Sequence, residues 1–97
     1  MSITILVELR SKPENVDKLK STLINQFPET RAYNGFQSIE FHEDEDDPNH
    51  FMMIERWDSR SCYEKYRAWR IETGSANELA ALLSQPLNIH YYNCIEE

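Results

Sequence analysis

Hydrophobic and polar residues alternate in four segments of the chain. In the first ten positions every second residue is apolar, which is the two-residue period of a β-strand with one buried face. A similar β-rich character recurs at 36–42, 50–57 and 87–95. The pattern therefore predicts four β-strands, with an Asn-Gly turn before the second strand and an acidic loop after it. The alternating residues of the first strand are Ile3, Ile5, Val7 and Leu9.

Between the first two strands the apolar residues follow the 3.6-residue period of an amphipathic helix. They run from Val16 to Phe27. Ser11 and Glu14 have the spacing of a capping box just before this segment, and Pro28 is predicted to end the helix. We therefore predict one long helix packed against the sheet.

Two more helices are predicted between the third and fourth strands. A helical pattern covers about 59–71, and Ser75 and Glu78 form a second capping box before a helix that Pro86 ends. The order of elements is that of a ferredoxin-like α+β fold, a split β-α-β unit whose four-stranded antiparallel sheet is covered by helices on one face. The chain of 97 residues is predicted to be a single domain, 1–97.

The sheet face opposite the helices is predicted to be too apolar for open water. Leu6 lies on that side of the first strand, and one member of each pair Met52/Met53 and Tyr91/Tyr92 must also point away from the helices. An exposed apolar patch of this kind usually marks an interface. We therefore expect a homodimer packed through this face.

The composition limits the partners and the compartment. A formal net charge of -7 disfavours nucleic acid and acidic membrane surfaces, because both attract basic patches. No apolar run approaches the ~20 residues needed to span a bilayer. Cys62 and Cys94 lack C-x-x-C spacing and are expected to be buried small hydrophobic residues. A soluble, cytoplasmic protein is predicted.

The sequence contains no motif for a metal or a cofactor. His42, His50 and His90 lie on separate elements without ligand spacing, and the acidic loop 43–47 lacks the pattern of a calcium site. With only two glycines the chain cannot form a P-loop or a dinucleotide-binding fingerprint. We therefore expect no metal and no cofactor.

A cluster of aromatic and basic residues follows the third strand. On a helix, where each residue turns about 100°, Tyr63, Tyr66 and Arg70 fall within an arc of about 60°. Trp69 lies on the flank of this arc, and Trp57 ends the preceding strand. Such a surface suits a flat, oxygen-rich aromatic molecule, because rings stack on it, phenols bond its oxygens and a guanidinium stabilises an enolate or phenolate.

A structural interpretation of the same cluster is also open. Tyrosine and tryptophan rings on a helix often belong to a core or an interface. Arg70 can form an ion pair with Glu55 or another carboxylate that holds the helix against the sheet. In that case loss of the charge weakens folding rather than ligand binding.

Several landmarks resemble those of the antibiotic biosynthesis monooxygenase-like domains, which are small dimeric α+β barrels. The segment ETRAYNGF is similar to the family's entry into the second strand, and LLSQPLNIHYY is similar to its last helix-to-strand passage. Between them, HEDEDDPNHFMMIERWDS resembles the family's hairpin and the end of its third strand. The matching residues are Thr30, Arg31, Gly35, Asp44, Pro48, Phe51, Glu55, Trp57 and Ser59.

The resemblance implies a ferredoxin-like protomer, dimerisation through the sheets and a pocket between sheet and helices. The family's characterised enzymes include cofactor-independent oxygenases that convert polycyclic phenols or quinols into quinones, with the substrate itself reducing O₂. Under this interpretation Arg70 and Tyr66 are catalytic. Trp57, Tyr63 and Trp69 bind the aromatic substrate. The alternative is a non-catalytic dimeric domain that binds a small aromatic ligand.

The sequence departs from this family at two positions. Tyr66 stands about where many members carry a histidine, and Met53 stands where some oxygenases have an asparagine. The haem-degrading branch uses asparagine, tryptophan and histidine together, and of these three this chain keeps only Trp57. Haem chemistry is therefore disfavoured.

Overall fold

Residues 2–97, which the computed structural model describes, form four strands and three α-helices. They are β1 (Ile3–Arg10), a 3₁₀ turn (Pro13–Asn15), α1 (Val16–Ala32), β2 (Phe36–Glu43), β3 (His50–Trp57), α2 (Arg60–Glu72), α3 (Ser75–Ala80) and β4 (Asn88–Tyr92). The strands make one antiparallel sheet in the order β2-β3-β1-β4. The predicted ferredoxin-like α+β fold is confirmed. No helix within 2–97 is long and apolar enough to cross a membrane.

Alternation along the two central strands separates the faces of the sheet. In β3 every second residue from Phe51 to Trp57 is buried, and the residues between them are half-buried. In β1 the buried positions are Ile5, Val7 and Leu9, which face the same side. The helices cover this side, so the hydrophobic core lies between one face of the sheet and the three helices.

The end of α1 differs from the prediction. The helix continues through Pro28 and ends at Ala32, so the predicted end at Pro28 is wrong. Proline removes the hydrogen bond to the carbonyl four residues earlier, which here belongs to Ile24 on the exposed side of α1. Water can satisfy that carbonyl. The burial of Phe27 and Thr30 on the opposite side keeps the chain helical.

The predicted capping box before α1 is wrong. Ser11 pairs with Leu83 in an isolated β-bridge, and its hydroxyl donates to the carbonyl of Lys12 at 2.8 Å. Pairing with a distant segment therefore replaces the local cap. The start of α2 is as predicted, because Ser59 is its N-cap and accepts a hydrogen bond from the backbone N–H of Cys62 at 3.1 Å.

The capping box and the end predicted for α3 are also wrong. Gly74 holds the N-cap position with φ of +86°, a left-handed conformation that glycine adopts without strain, so Ser75 is already helical. The helix ends at Ala80, well before Pro86. The segment 82–84 instead bonds the backbone at the end of β1, which takes it out of the helix.

The two cysteines are free thiols in different surroundings. Cys62 is half-buried in α2, and its Cβ lies 2.6 Å from where a Cβ on Gly35 would stand, so this turn requires glycine. Gly35 also has φ of +91°, which fits the predicted Asn-Gly turn. Cys94 is exposed. Its predicted burial is wrong, because the chain beyond β4 lies outside the helix–sheet core.

The sheet face turned away from the helices has an apolar centre. Leu6, Met52 and Ile54 are half-buried there, with Leu6 directly opposite Ile54 in the β1–β3 register. The histidines also project from this face, since His90 pairs with Leu6 and His42 pairs with Met52. The homodimer expected through this face stays a prediction.

His50 joins two carboxylates on the same outer face. Its Nδ1 lies 2.8 Å from Asp44 Oδ2 and its Nε2 lies 2.8 Å from Glu8 Oε2. Carboxylates only accept hydrogen bonds, so both ring nitrogens donate only when the imidazole is protonated. The bond to Asp44, followed by the bond to Glu8, raises the pKa of His50 above its ordinary value of 6.5. The pKa values of Asp44 and Glu8 are lowered, through His50 for Asp44 and through Asn88 and then His50 for Glu8.

We predict that His50→Gln destabilises the protein more at about pH 6 than at about pH 9. A group whose pKa is raised on folding stabilises the folded state below its ordinary pKa and loses this contribution as the pH rises through the raised value. The two carboxylates stay ionised at the lower pH because their pKa values are lowered. Urea unfolding of the parent and the variant at both pH values measures the effect.

The matched control is His42→Gln, because the ring of His42 is exposed and bonds Glu40 alone among the described residues. We expect a smaller loss of stability for this control. A loss for His50→Gln that is equal at the two pH values contradicts the protonated arrangement.

Candidate functional site

A small cavity lies between the sheet and all three helices. Its walls come from β1, β2 and β3 on one side and from α1, α2 and α3 on the other, and its volume is about 20 Å³. This is room for about one or two water molecules. A flat aromatic ligand therefore enters only if the surrounding side chains move apart. The charged and phenolic residues of the lining are Glu55, Tyr63, Tyr66, Arg67 and Arg70.

One face of α2 supplies most of these groups. Tyr63, Tyr66, Arg67 and Arg70 are separated by three, one and three positions, so they follow one side of the helix. The cap at Ser59 fixes where α2 begins and therefore which side of it meets the sheet. The structure thus brings Tyr63, Tyr66 and Arg70 together at one cavity, as their spacing in the sequence suggests.

Tyr63 lines the cavity with its ring packed in the core. The ring lies between Trp57 and Tyr91, at centroid distances of 5.7 and 5.9 Å. Burial, and then the neighbouring charge of Glu55, raises the pKa of Tyr63 far above its ordinary value. Its hydroxyl therefore stays protonated and serves as a hydrogen-bond donor.

Tyr66 and Arg70 bond to α1 and to each other, and these bonds use four of the five N–H donors of Arg70. The Tyr66 hydroxyl lies 2.8 Å from Thr30 Oγ1 and accepts a bond from Arg70 Nε at 2.9 Å. The other nitrogens of Arg70 donate to Glu29 Oε1 at 3.1 Å, to the carbonyl of Gln26 at 2.9 Å and to Thr30 Oγ1 at 3.1 Å. The guanidinium therefore connects α2 to the second half of α1, and its ion-pair partner is Glu29 rather than Glu55.

Trp57 and Trp69 lie behind the tyrosines and do not line the cavity. Trp57 is fully buried, and its ring packs 5.0 Å from that of Tyr66 and 5.7 Å from that of Tyr63. Trp69 is half-buried, and the centre of its ring lies 6.2 Å from that of Tyr66. The Arg70 guanidinium lies over the Trp69 ring, 4.7 Å from its centre. Both indoles support the residues that reach the cavity, and neither faces the empty space itself.

Glu55 is a cavity residue that was not among the predicted site residues. It is only 2% exposed, and its Oε1 accepts a bond from the indole N–H of Trp57 at 3.0 Å. Burial raises the pKa of Glu55 to about 7, against the opposing effects of the Trp57 bond and the charge of Arg67. The sequence carried a signal for it, because the two-residue period of β3 places Glu55 between Met53 and Trp57 on the buried face.

Arg67 is the second cavity residue that the predictions missed. It is half-buried, and no ion pair or side-chain hydrogen bond to it occurs within the described residues 2–97. Its charge lowers the pKa values of both Glu55 and Tyr63. Helix geometry could have identified it, since a residue four positions after Tyr63 lies only about 40° from it around the axis.

The site therefore separates polar groups that are already bonded from polar groups that are free. Arg70 uses four of its five donors and the Tyr66 hydroxyl is bonded to two partners, whereas Glu55, Arg67 and Tyr63 have more capacity left for a guest. Glu55 can take up a proton near neutral pH, Arg67 can hold an anion and Tyr63 can donate a hydrogen bond. Within the part of the chain that the structure describes, no group of three His, Cys, Asp or Glu side chains gathers closely enough to hold a metal ion.

Fold and site define a small α+β domain with a small cavity between one sheet and its helices, lined by apolar side chains and a few charged and phenolic groups. A family model for antibiotic biosynthesis monooxygenases matches residues 2–70. The chain belongs to this family, as the resemblance in its sequence predicted. A search of curated proteins finds no match.

Solved structures with the same fold cover nearly the whole chain. Rv0793 from Mycobacterium tuberculosis is 20% identical, with a TM-score of 0.87 over 100% of this chain and 98% of that one. An alanine mutant of SnoaB, a cofactor-independent oxygenase from Streptomyces nogalater, is 14% identical, with a TM-score of 0.86 over 99% and 95%. A candidate antibiotic biosynthesis monooxygenase from Deinococcus radiodurans is 26% identical, with a TM-score of 0.83 over 100% and 95%. The two similarities below 25% establish the fold alone.

We predict that Arg70→Met lowers the free energy of unfolding by about 2–3 kcal/mol, because a buried polar group left without its partner costs about 1–3 kcal/mol. Thr30, Tyr66 and the Gln26 carbonyl each lose a bond, although Thr30 and Tyr66 keep the one between them. Urea unfolding measures the loss. Arg67→Met is the matched control for stability, since Arg67 lies on the same helix without a bonded partner, and should cost well under 1 kcal/mol. Equal effects of the two substitutions contradict the structural role of Arg70.

Proposed function

We propose that this protein is a cofactor-independent monooxygenase that oxidises a phenolic or quinol-type aromatic small molecule with O₂. The observation that carries the proposal is the cavity, in which a singly bonded carboxylate, an unbonded guanidinium and a phenol meet beside aromatic rings. Membership of the antibiotic biosynthesis monooxygenase family supports it. So does the likeness of fold to SnoaB, itself a cofactor-independent oxygenase.

In this reaction the substrate supplies the electrons, so the protein needs no redox group of its own. A phenol with a free para C–H reacts with O₂ to give a quinone and water, and the phenol supplies all four electrons. One oxygen atom enters the quinone and the other leaves as water with the two hydrogens removed. The protein has to orient the ring, take up the phenolic proton and stabilise the anion, which are tasks for side chains.

The cavity residues divide these tasks between contact and support. Tyr63 and Tyr66 contact the substrate ring, and Tyr63 donates its hydroxyl to a substrate oxygen. Arg70 acts through Tyr66, whose hydroxyl it holds at 2.9 Å. Trp57 and Trp69 keep the two tyrosine rings in place from behind. Arg70 is therefore a positioning residue in this proposal.

A ligand-binding domain without catalysis is the second candidate. The small volume of the cavity, about 20 Å³, favours it, because a protein that only sequesters a ligand has no need for rapid entry and release. The two functions predict the same binding site. They differ in whether oxygen is consumed.

We predict that cofactor-free, metal-free protein consumes O₂ with at least one member of a panel of hydroquinones, anthrones and polycyclic phenols. Because the substrate supplies the electrons, uptake should exceed the rate without protein before any cofactor is added. With ¹⁸O₂, one labelled atom should appear in the quinone formed from an anthrone or from a phenol with a free para C–H. A hydroquinone already carries both quinone oxygens, so its oxidation to the quinone incorporates no label and serves as the control. No uptake above the protein-free rate across the panel, together with measurable binding of its members, establishes the ligand-binding alternative.

We also propose that the outer face of the sheet is a homodimer interface. Its apolar centre consists of Leu6, Met52 and Ile54 on adjacent strands, and this surface has no cover in the single chain. Dimerisation would bury it, and interfaces of this kind are commonly large and apolar. The helix-side cavity lies across the sheet from this surface.

We predict a dimer by light scattering at micromolar concentration, that is, twice the chain mass of 11.5 kDa. Ile54→Lys places a charge at the centre of the apolar patch and should give a monomer. Ile71→Lys is the matched control, because Ile71 is 57% exposed on α2, on the other side of the sheet. A monomeric parent, or a dimer that Ile54→Lys leaves intact, contradicts this interface.

A further inference from the structure

Glu55 is the only buried carboxylate within residues 2–97. A buried charge weakens a fold unless it is paired, and Glu55 has a single hydrogen bond, from the indole of Trp57 to one of its two oxygens. Titratable groups whose burial perturbs them in a cleft mark functional sites more often than chance. Oε2 is the oxygen left to accept a bond from a molecule in the cavity.

The groups facing Glu55 come mainly from α2. Arg67 and Tyr63 are its nearest electrostatic neighbours on that helix. Arg70 and Tyr66 also line the cavity but bond to α1. Glu55 and Arg67 form no ion pair within the described residues, so a guest can stand between the two charges.

We propose that Glu55 accepts the proton of the substrate's acidic hydroxyl and that Arg67 holds the resulting anion. This proposal rests on the proposed function and names its substrate class, a phenol or enol whose hydroxyl enters first and points to the sheet. The O–H bond breaks, the proton goes to Oε2 of Glu55, and the electron pair stays on the substrate oxygen. That anion, beside the guanidinium of Arg67, then donates electrons to O₂.

The arrangement keeps the charge of the site constant during proton transfer. Before the step Glu55 carries the negative charge, and afterwards the substrate oxygen carries it, while Arg67 stays positive throughout. The net charge of the cavity therefore stays the same, so the step does not add an unpaired charge to a low-dielectric interior. Burial raises the pKa of Glu55 to about 7, which makes it a stronger base than an exposed glutamate and still ionised in good part at neutral pH.

The neighbouring tyrosines do not serve as the base. Burial raises the pKa of Tyr63, so its hydroxyl stays a donor. The Tyr66 hydroxyl is bonded to Thr30 and to Arg70. This leaves Glu55 as the proton acceptor among the cavity residues.

A binding experiment tests the pair without any turnover. The probe is 4-nitrophenol, whose anion absorbs visible light and whose neutral form does not. At a pH where both the probe and Glu55 are ionised, Arg67→Met should weaken binding of the anion at least about tenfold. Glu55→Gln should strengthen it, because the amide keeps the size of the side chain and can still accept from Trp57 but removes the like charge. A residue with a purely structural role would weaken binding when replaced.

A turnover experiment on an oxidised member of the panel completes the test. Glu55→Gln should lower kcat by about 10²–10⁴ without raising KM, since general-base catalysis typically contributes that factor. It should also remove the rise of kcat/KM with pH near 7 that burial of Glu55 produces. Arg67→Lys should recover part of the loss seen in Arg67→Met. Glu64→Gln is the control for loss of one acidic charge, as Glu64 is exposed on α2.

The outcomes separate this inference from the proposed function. If no phenol is oxidised but the two substitutions shift 4-nitrophenol binding in opposite directions, the proposed function fails and the binding pair stands. If phenols are oxidised and Glu55→Gln keeps the parent rate, the proposed function stands and Glu55 is not the proton acceptor. Unchanged binding in both variants overturns the pair. The thermal midpoint of each variant shows whether it is folded. Arg67→Met is expected to fold like the parent, because Arg67 is only half-buried and lies outside the core.

Discussion

The guanidinium of Arg70 is the polar contact on which the helix layer depends. This guanidinium is buried in the helix layer that packs on one face of the sheet. It donates to three partners on α1 and to one on α2. These bonds hold together the two long helices where α1 continues beyond Pro28. They also fix the Tyr66 hydroxyl and, through its ring, one wall of the cavity. A buried charge that has four of its five N–H donors bonded can stabilise packing, but it has little left to offer a ligand.

That constraint explains why the polar groups with free bonding capacity lie one helical turn away. Polar groups buried between the helices and the sheet either form hydrogen bonds with each other or face a cavity. Arg70, Tyr66 and Thr30 form hydrogen bonds with one another. Glu55 and Arg67 also line the remaining space, but they do not bond each other. The two arginines on the inward face of α2, Arg67 and Arg70, thus have different roles, although the sequence places them close together on that face. One connects helices, and the other is available to an anion.

The periodicity of the sequence predicted those features that depend on a single helix or strand. The alternation in β3, the inward face of α2 and the order of helices and strands along the chain all follow from local pattern, and the structure agrees with them. The partners of Arg70 lie about forty residues earlier in the chain, so no local pattern identifies them. The capping box at Ser11 failed for the same reason, because a bridge to Leu83 decides its conformation. The two-residue period of β3 places Glu55 on the buried face, but no local pattern shows that the cavity lies beside it, because the cavity is formed by six elements that are distant in the chain.

The size of the cavity adds a condition on any ligand. A space of about 20 Å³ holds water but no aromatic ring, so binding has to displace part of the wall. The sheet is fixed by its hydrogen bonds and α1 and α2 are fixed by Arg70, which leaves α3. This helix has six residues and a single buried one, Leu79, and it follows Gly74 in open space. Local opening costs least where few apolar contacts are lost. Among the walls of the cavity, α3 is therefore the one whose displacement should cost least, on the side away from the bonds that Arg70 makes with α1.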